Sequence, residues 1–299
     1  MIQQLKKIFN SLIRYDEENN VLSDNYQWFL TGENEVIGID KKELTEKDVS
    51  ILSSFLSPYN INLPILTKEE QQWKQLIHSG GQLAYFNAET AFRFVHFTFK
   101  KNELEPITFK EAVHEFFSKP VPILWENEHE GIIIEEQSPQ LDEGISYEQI
   151  IDVLMSDLYV KINFFVGPFF NEQENIKQHY ELIITTAPIV FSYSDKPVIS
   201  YIDAVPSMLI DRTEPAFRNE LIRVILGDLA LDEELLHTIQ TFMQCNLNIS
   251  VTAKELYMHR NSLHYRLDKF NEKTGIDVRQ FHEAMTVYLA LLSNMHKED

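Results

Sequence analysis

The chain has 299 residues, 44% of them apolar and 12% aromatic, which suffices for two or three domains with real cores. Lys and Arg number 26 against 46 Asp and Glu, a formal net charge of −20, which weighs against any role that depends on neutralising phosphates over the whole surface. The one cysteine, Cys245, excludes an internal disulfide framework, fits a reducing cytoplasm and is expected to be a small buried apolar residue.

No apolar run approaches the ~18 residues of a membrane span. The start, MIQQLKKIFNSLI, is broken by Gln and Lys and lacks a signal peptide's continuous apolar region. It predicts an amphipathic helix packing Ile2, Leu5, Phe9, Leu12 and Ile13 onto its own domain, and a cytoplasmic protein without a membrane partner. Two aromatic-rich runs flank Thr31-Gly32-Glu33-Asn34 and predict a β-hairpin. Thr45 with Asp48, and Thr67 with Glu70, are capping boxes for two helices, the first ending at Leu56-Ser57-Pro58. Ser79-Gly80-Gly81 lacks the Lys-Ser/Thr of a phosphate loop and is expected to be a hinge. Residues 1–80 thus form a small α+β unit, suited to sensing or dimerisation.

A second pattern occupies residues 91–205. FRFVHFTF (92–99) has strong strand propensity, and TFKEAVHEFF (108–117) is an amphipathic helix. VPILWENEHEGIIIEE is a hairpin, SYEQIIDVLMSDL a helix capped by Ser146, and YVKINFFVG a strand. NEQENIKQHYELIITT is a further helix and PVISYID a final strand. The order β-α-β-β-α-β-α-β contains a ferredoxin-like core. Glu126, Glu128 and Glu130 on the hairpin turn are expected to be solvated rather than to bind metal. The ten histidines form no zinc-ligand spacing, and no nucleophile motif occurs, so neither cofactor, metal site nor catalytic residue is predicted.

Residues 206–231 read as a helical connector, with Pro215 at the first position of a helix that Gly227 ends. Residues 232–299 read as an all-α domain. Asp232 caps DEELLHTIQTFMQC, whose Leu235, Leu236, Ile239, Phe242 and Met243 face a core. Ser250 is expected to cap a short helix in which Ala253 lets a second helix cross closely, with Leu256 and Met258 framing the turn. The second helix runs from about Arg260 to Thr274, with Gly275 at its C′ position and Leu263, Leu267 and Phe270 as its apolar stripe. Arg260, Asn261, Ser262, His264, Tyr265, Arg266 and Lys269 remain outside that stripe and suit major-groove contact with double-stranded DNA. From Lys254 to Thr274 the local net charge is +2, on a 232–299 region whose net is −3.

The run Asn248-x-Ser250-x-x-Ala253-x-x-Leu256-x-x-His259-Arg260-Asn261-Ser262-Leu263-x-Tyr265-Arg266-Leu267 resembles the Fis-like C-terminal domain of PucR/CdaR-type bacterial transcription regulators. The match extends from about Leu235 to Leu292, with Ser262 where Thr is more usual and His264 at a variable position. The middle pattern, with Gly167-Pro168 after its fourth strand, resembles more weakly the degenerate GGDEF-like domain of the same regulators. The glycine pair of active cyclases is missing and residues 92–99 hold no carboxylate, so no cyclase activity is expected. The resemblance implies a sequence-specific DNA-binding transcription regulator that responds to an unknown signal, with a small-molecule effector as a candidate partner, through its N-terminal and middle domains; the local charge of only +2 implies that it acts as a homodimer or higher even oligomer. The alternative is a sensory or scaffold protein that uses the helix-turn-helix for protein contacts alone.

Overall fold

The computed structural model describes residues 1–15, 23–32, 35–79, 91–117, 119–137, 146–171 and 175–295. The chain is mixed α+β and divides into two compact units, Met1–Phe164 with Phe169–Tyr180, and Phe165–Pro168 with Glu181–Asp299. The first helix, α1 (Ile2–Leu5), is shorter than its amphipathic run predicts, because Ile13 is drawn into a strand, β1 (Ile13–Arg14), opposite Gly38. Its apolar residues keep their role: Leu5, Phe9 and Leu12 are buried with Phe29, Ile37, Ile39, Leu52 and Leu56. Strands β2 (Tyr26–Leu30) and β3 (Val36–Asp40) form the expected antiparallel hairpin, in register from Tyr26↔Asp40 to Leu30↔Val36. Glu33 and Asn34 of its turn lie outside the described residues. Trp28 pairs with Gly38, where a Cβ would come within 2.7 Å of the indole, so only glycine admits the ring.

Helix α2 (Glu46–Ser53) carries the predicted box, with Asp48 N–H donating to Thr45 Oγ1 at 3.2 Å and Thr45 N–H to Asp48 Oδ2 at 2.9 Å. The segment that ends it forms a two-residue strand, β4 (Ser57–Pro58), and the sheet order is β1-β3-β2-β4. Helix α3 (Lys68–Ser79) carries the second box, Thr67 with Glu70. The glycine pair after it, read as a hinge, lies outside the described residues. Glu70 does more than cap. Fully buried, it also accepts two bonds from Lys110 Nζ, at 2.7 and 2.8 Å, and one from Ile123 N–H at 2.9 Å. All of a buried carboxylate's charge is thereby matched by donors, which is the condition for burying it.

The second sheet follows the predicted order. Its elements are β5 (Phe92–Phe99), α4 (Pro106–His114), β6 (Ile123–Asn127), β7 (Glu130–Glu136), α5 (Tyr147–Leu158), β8 (Ile162–Val166), α6 (Ile176–Tyr193) and β9 (Val198–Ser200). The strand order is β6-β7-β5-β8-β9. Phe94, Val95, His96 and Phe97 are all buried, so β5 is covered on both faces, as a continuous apolar run requires. Helix α4 starts earlier than expected because Pro106 stands at its first turn. Ser146 caps α5 as predicted, accepting from Gln149 N–H.

The three turn glutamates are more than solvated. Tyr180 donates its hydroxyl to Glu126, Asn60 and Asn62 donate to Glu128 at 2.9 and 2.7 Å, and His96 Nε2 stands 2.8 Å from Glu130. The His96 contact, against the cost of burial, holds the Glu130 carboxyl below its usual range.

The last predicted strand is only three residues long. Ser200 accepts from Asp203 N–H and caps a helix, α7 (Tyr201–Asp211), so Tyr201, Ile202 and Asp203 are helical. Helix α8 (Pro215–Leu221) begins with Pro215 as expected and runs on as a π turn (Ile222–Leu226) and a 3-10 turn (Gly227–Leu231). Buried Arg218 donates Nη1 to the carbonyls of Ile210, Asp211 and Thr213, satisfying acceptors at the end of α7. Helices α9 (Glu233–Gln244), α10 (Ile249–Glu255), α11 (Arg260–Thr274) and α12 (Phe281–Met295) complete the chain's helical end. No helix among the described residues is long and apolar enough to cross a membrane.

Candidate nucleic-acid interface

Helix α9 supports the other two by burying Leu235, Leu236, Ile239 and Phe242, with Met243 packed against the same core. Asp232 caps it, accepting from Leu235 N–H at 3.1 Å. That bond and the Lys269 ammonium hold the Asp232 carboxyl below its usual range. Cys245, expected to be buried, is half-buried at the C-terminal cap, where the helix opens and its last turn is exposed on one side.

The cap of α10 lies two residues before the predicted one. Asn248 Oδ1 accepts from Ser250 N–H at 3.0 Å and Val251 N–H at 3.1 Å, so Ser250 already lies inside the helix. Asn and Ser are equally good caps, and the winner here is the residue held in extended backbone after two left-handed residues, Asn246 and Leu247. Ala253 is buried where α10 meets α11, and Met258 packs on the shared core.

Between α10 and α11 the chain makes a Schellman turn. Tyr257 N–H donates to Lys254 O at 3.1 Å and Met258 N–H to Ala253 O at 2.9 Å, with Tyr257 at φ +50°. His259 then caps α11, its Nδ1 accepting from Asn261 N–H at 3.2 Å. The sequence reading placed His259 in the run that carries the family resemblance and gave it no capping role; its place directly before the helix start was the available signal. Helix α11 ends at Gly275 with φ +74°, and Gly275 N–H donates to Asn271 O at 2.8 Å. Both the helix bounds and the glycine stop agree with the sequence reading, and Leu263, Leu267 and Phe270 are all buried.

The seven predicted contact residues divide into two groups. Arg260, Asn261, Ser262, His264 and Tyr265 are exposed, Tyr265 to 71%. Arg266 and Lys269 lie on the flank facing α9 and are only partly exposed. Arg266 donates to Thr238 Oγ1 at 2.8 Å and pairs with Glu234, and Lys269 pairs with Asp232 at 3.1 Å. Ser262, Tyr265, Arg266 and Lys269 line a groove of about 540 Å³ with Asp232 and Glu234. A short supported helix, a tight turn and a second helix with a polar, exposed N-terminal half define a helix-turn-helix of the kind carried by transcription regulators.

The family model described as the PucR C-terminal helix-turn-helix domain matches residues 235–293. Over its length the chain is similar to the protein YxkF of Bacillus subtilis, 33% identical over 271 residues, covering 88% of this chain and 89% of that one. It is similar also to the purine catabolism regulatory protein of Bacillus subtilis, 27% identical over 65% of this chain and 36% of that protein. The carbohydrate diacid regulator of Escherichia coli is 26% identical over 48% of this chain and 38% of its own length. The chain therefore spans little more than a third of each of those two regulators. It belongs to the PucR-type family of transcription regulators.

Proposed function

We propose that this regulator binds double-stranded DNA sequence-specifically through the N-terminal half of α11. The observation that carries this is the exposure of Arg260, Asn261, Ser262, His264 and Tyr265 on one helix whose other face is fixed by Leu263, Leu267 and Phe270. Arg and Asn are the side chains that make bidentate bonds to guanine and adenine edges. Arg266 and Lys269 reach phosphate by exchanging Glu234 and Asp232 for it, which limits their net contribution. Residues 1–80 and the GGDEF-like 91–205 receive the effector signal, 206–231 connect, and 232–299 bind DNA as a homodimer in the cytoplasm; no catalysis is involved.

Selection of duplexes from a random library by the full chain tests the proposal. Arg260→Ala or Asn261→Ala should weaken binding to the selected duplex by about 1–3 kcal/mol per base contact while leaving the melting curve unchanged. Binding by Arg260→Ala as tight as wild type overturns the assignment. The net charge of −20 favours a second reading, a helix-turn-helix kept for protein contacts, and failure to enrich any duplex selects it.

A further inference from the structure

A cleft of about 1030 Å³ lies within the first compact unit, between residues 61–65, after β4, and residues 102–107, which lead into α4. That volume is ample for a small organic molecule. Ile61, Leu63, Leu104 and Ile107 give it apolar walls, and Ile107 is 47% exposed. Its carboxylates stand on both sides. Glu103 and Glu105 precede α4, whereas Glu128 is tied to the opposite segment by the amides of Asn60 and Asn62. Both amides donate to Oε1, and among the described residues nothing donates to Oε2. The Asn62 and Asn60 bonds hold the Glu128 carboxyl below its usual range.

The charge of this cleft is not balanced from within. Among the described residues that line it, Lys110 is the cation, and it donates twice to Glu70. Lys100 pairs with Glu103 at 3.0 Å and the Lys101 charge acts on Glu128, but Lys100 is 79% exposed, and exposed pairs of this kind contribute little. The groove on α11 differs, because Asp232 and Glu234 there meet Lys269 and Arg266 and the charges cancel. Unbalanced carboxylates favour a cationic ligand. Apolar walls between two acidic sides favour one with an aliphatic body and a charge at each end. We propose that this cleft is the effector site and binds an aliphatic diamine, its methylenes against Ile61, Leu63, Leu104 and Ile107, one ammonium on Glu128 and the other on Glu103 and Glu105. This rests on the reading that the segments upstream of the helix-turn-helix receive the signal, and it names the site and the ligand class.

Calorimetric titration of the full chain with diaminopentane should show one saturable site with a Kd below about 1 mM. Pentanediol, which has the same body without charge, and glutarate, which has the opposite charge, should bind at least about tenfold more weakly. Glu128→Gln should weaken diamine binding about tenfold with an unchanged melt, since Gln keeps the carbonyl that Asn60 and Asn62 bond. The double variant Glu103→Gln, Glu105→Gln should do the same, and Glu220→Gln, on exposed α8, should bind as wild type. No saturation, or equal weakening by Glu220→Gln, overturns the site; the latter is diffuse attraction to a chain of net charge −20. Affinity for the library-selected duplex is then measured with and without diamine. A change that Glu128→Gln abolishes supports the effector role, and diamine bound with duplex affinity unchanged overturns that role. If wild type enriches no duplex, the DNA-binding reading fails while the calorimetry still decides the cleft.

Discussion

Leu263 and Leu267 anchor the proposed reading helix, each at most 1% exposed. Their replacement by Ala should cost about 2–5 kcal/mol each and lower the cooperative melt of the helical C-terminal region, so that DNA binding is lost through unfolding. This differs from Arg260→Ala, where the melt is unchanged. Asp232 yields a pH-dependent case. Its carboxyl is held low in the folded state, so its stabilisation is fully present above the ordinary aspartate value of about 4 and is lost as pH falls through the lower folded value. Asp232→Ala should cost about 1 kcal/mol at neutral pH. Denaturant titrations of both proteins should show that gap constant from pH 7 down to about pH 4 and narrowing below it.

At the scale of elements, local chemistry was largely legible. Thr45 with Asp48, Thr67 with Glu70, Ser146, Asp232 and Gly275 each sit where their hydrogen bonds are made with near neighbours, and each was found from spacing. The misplacements arose where two local signals competed. Ser250 follows Asn248 by two residues, and either can cap. Ser200 closes an apolar run that reads as a strand, but with Asp203 it also forms a helix cap, and the cap ends the strand. The candidate site was legible as a helix and a stripe. The partners of Arg266 and Lys269 were not, because Glu234 and Asp232 lie on another helix more than 30 residues earlier. Lys269→Ala should therefore change stability by no more than about 1 kcal/mol, as for other partly exposed pairs, measured by chemical denaturation.

The whole molecule carries its acidity away from the proposed reading segment. A net of −20 for the chain contrasts with +2 between Lys254 and Thr274. One such segment neutralises few phosphates, and each neutralised phosphate adds a salt slope of only about −0.9. Two linked copies recover affinity by making the second contact intramolecular. Analytical ultracentrifugation at micromolar concentration should show a dimer, and footprints should place paired half-sites about 34 Å apart or a multiple of it. A monomer protecting one short asymmetric site contradicts this.

The Glu70 carboxylate binds Lys110, the Ile123 amide and its own helix cap, so positions 70 and 110 are physically coupled. Neither can drift alone: Glu70→Gln or Lys110→Met each strands a buried partner, at about 3–5 kcal/mol. A paired apolar replacement of both removes the charge and the countercharge at once, and should be far less damaging than the sum of the single changes. Substitutions at these two positions should accordingly be found together or not at all among sequences that keep this fold.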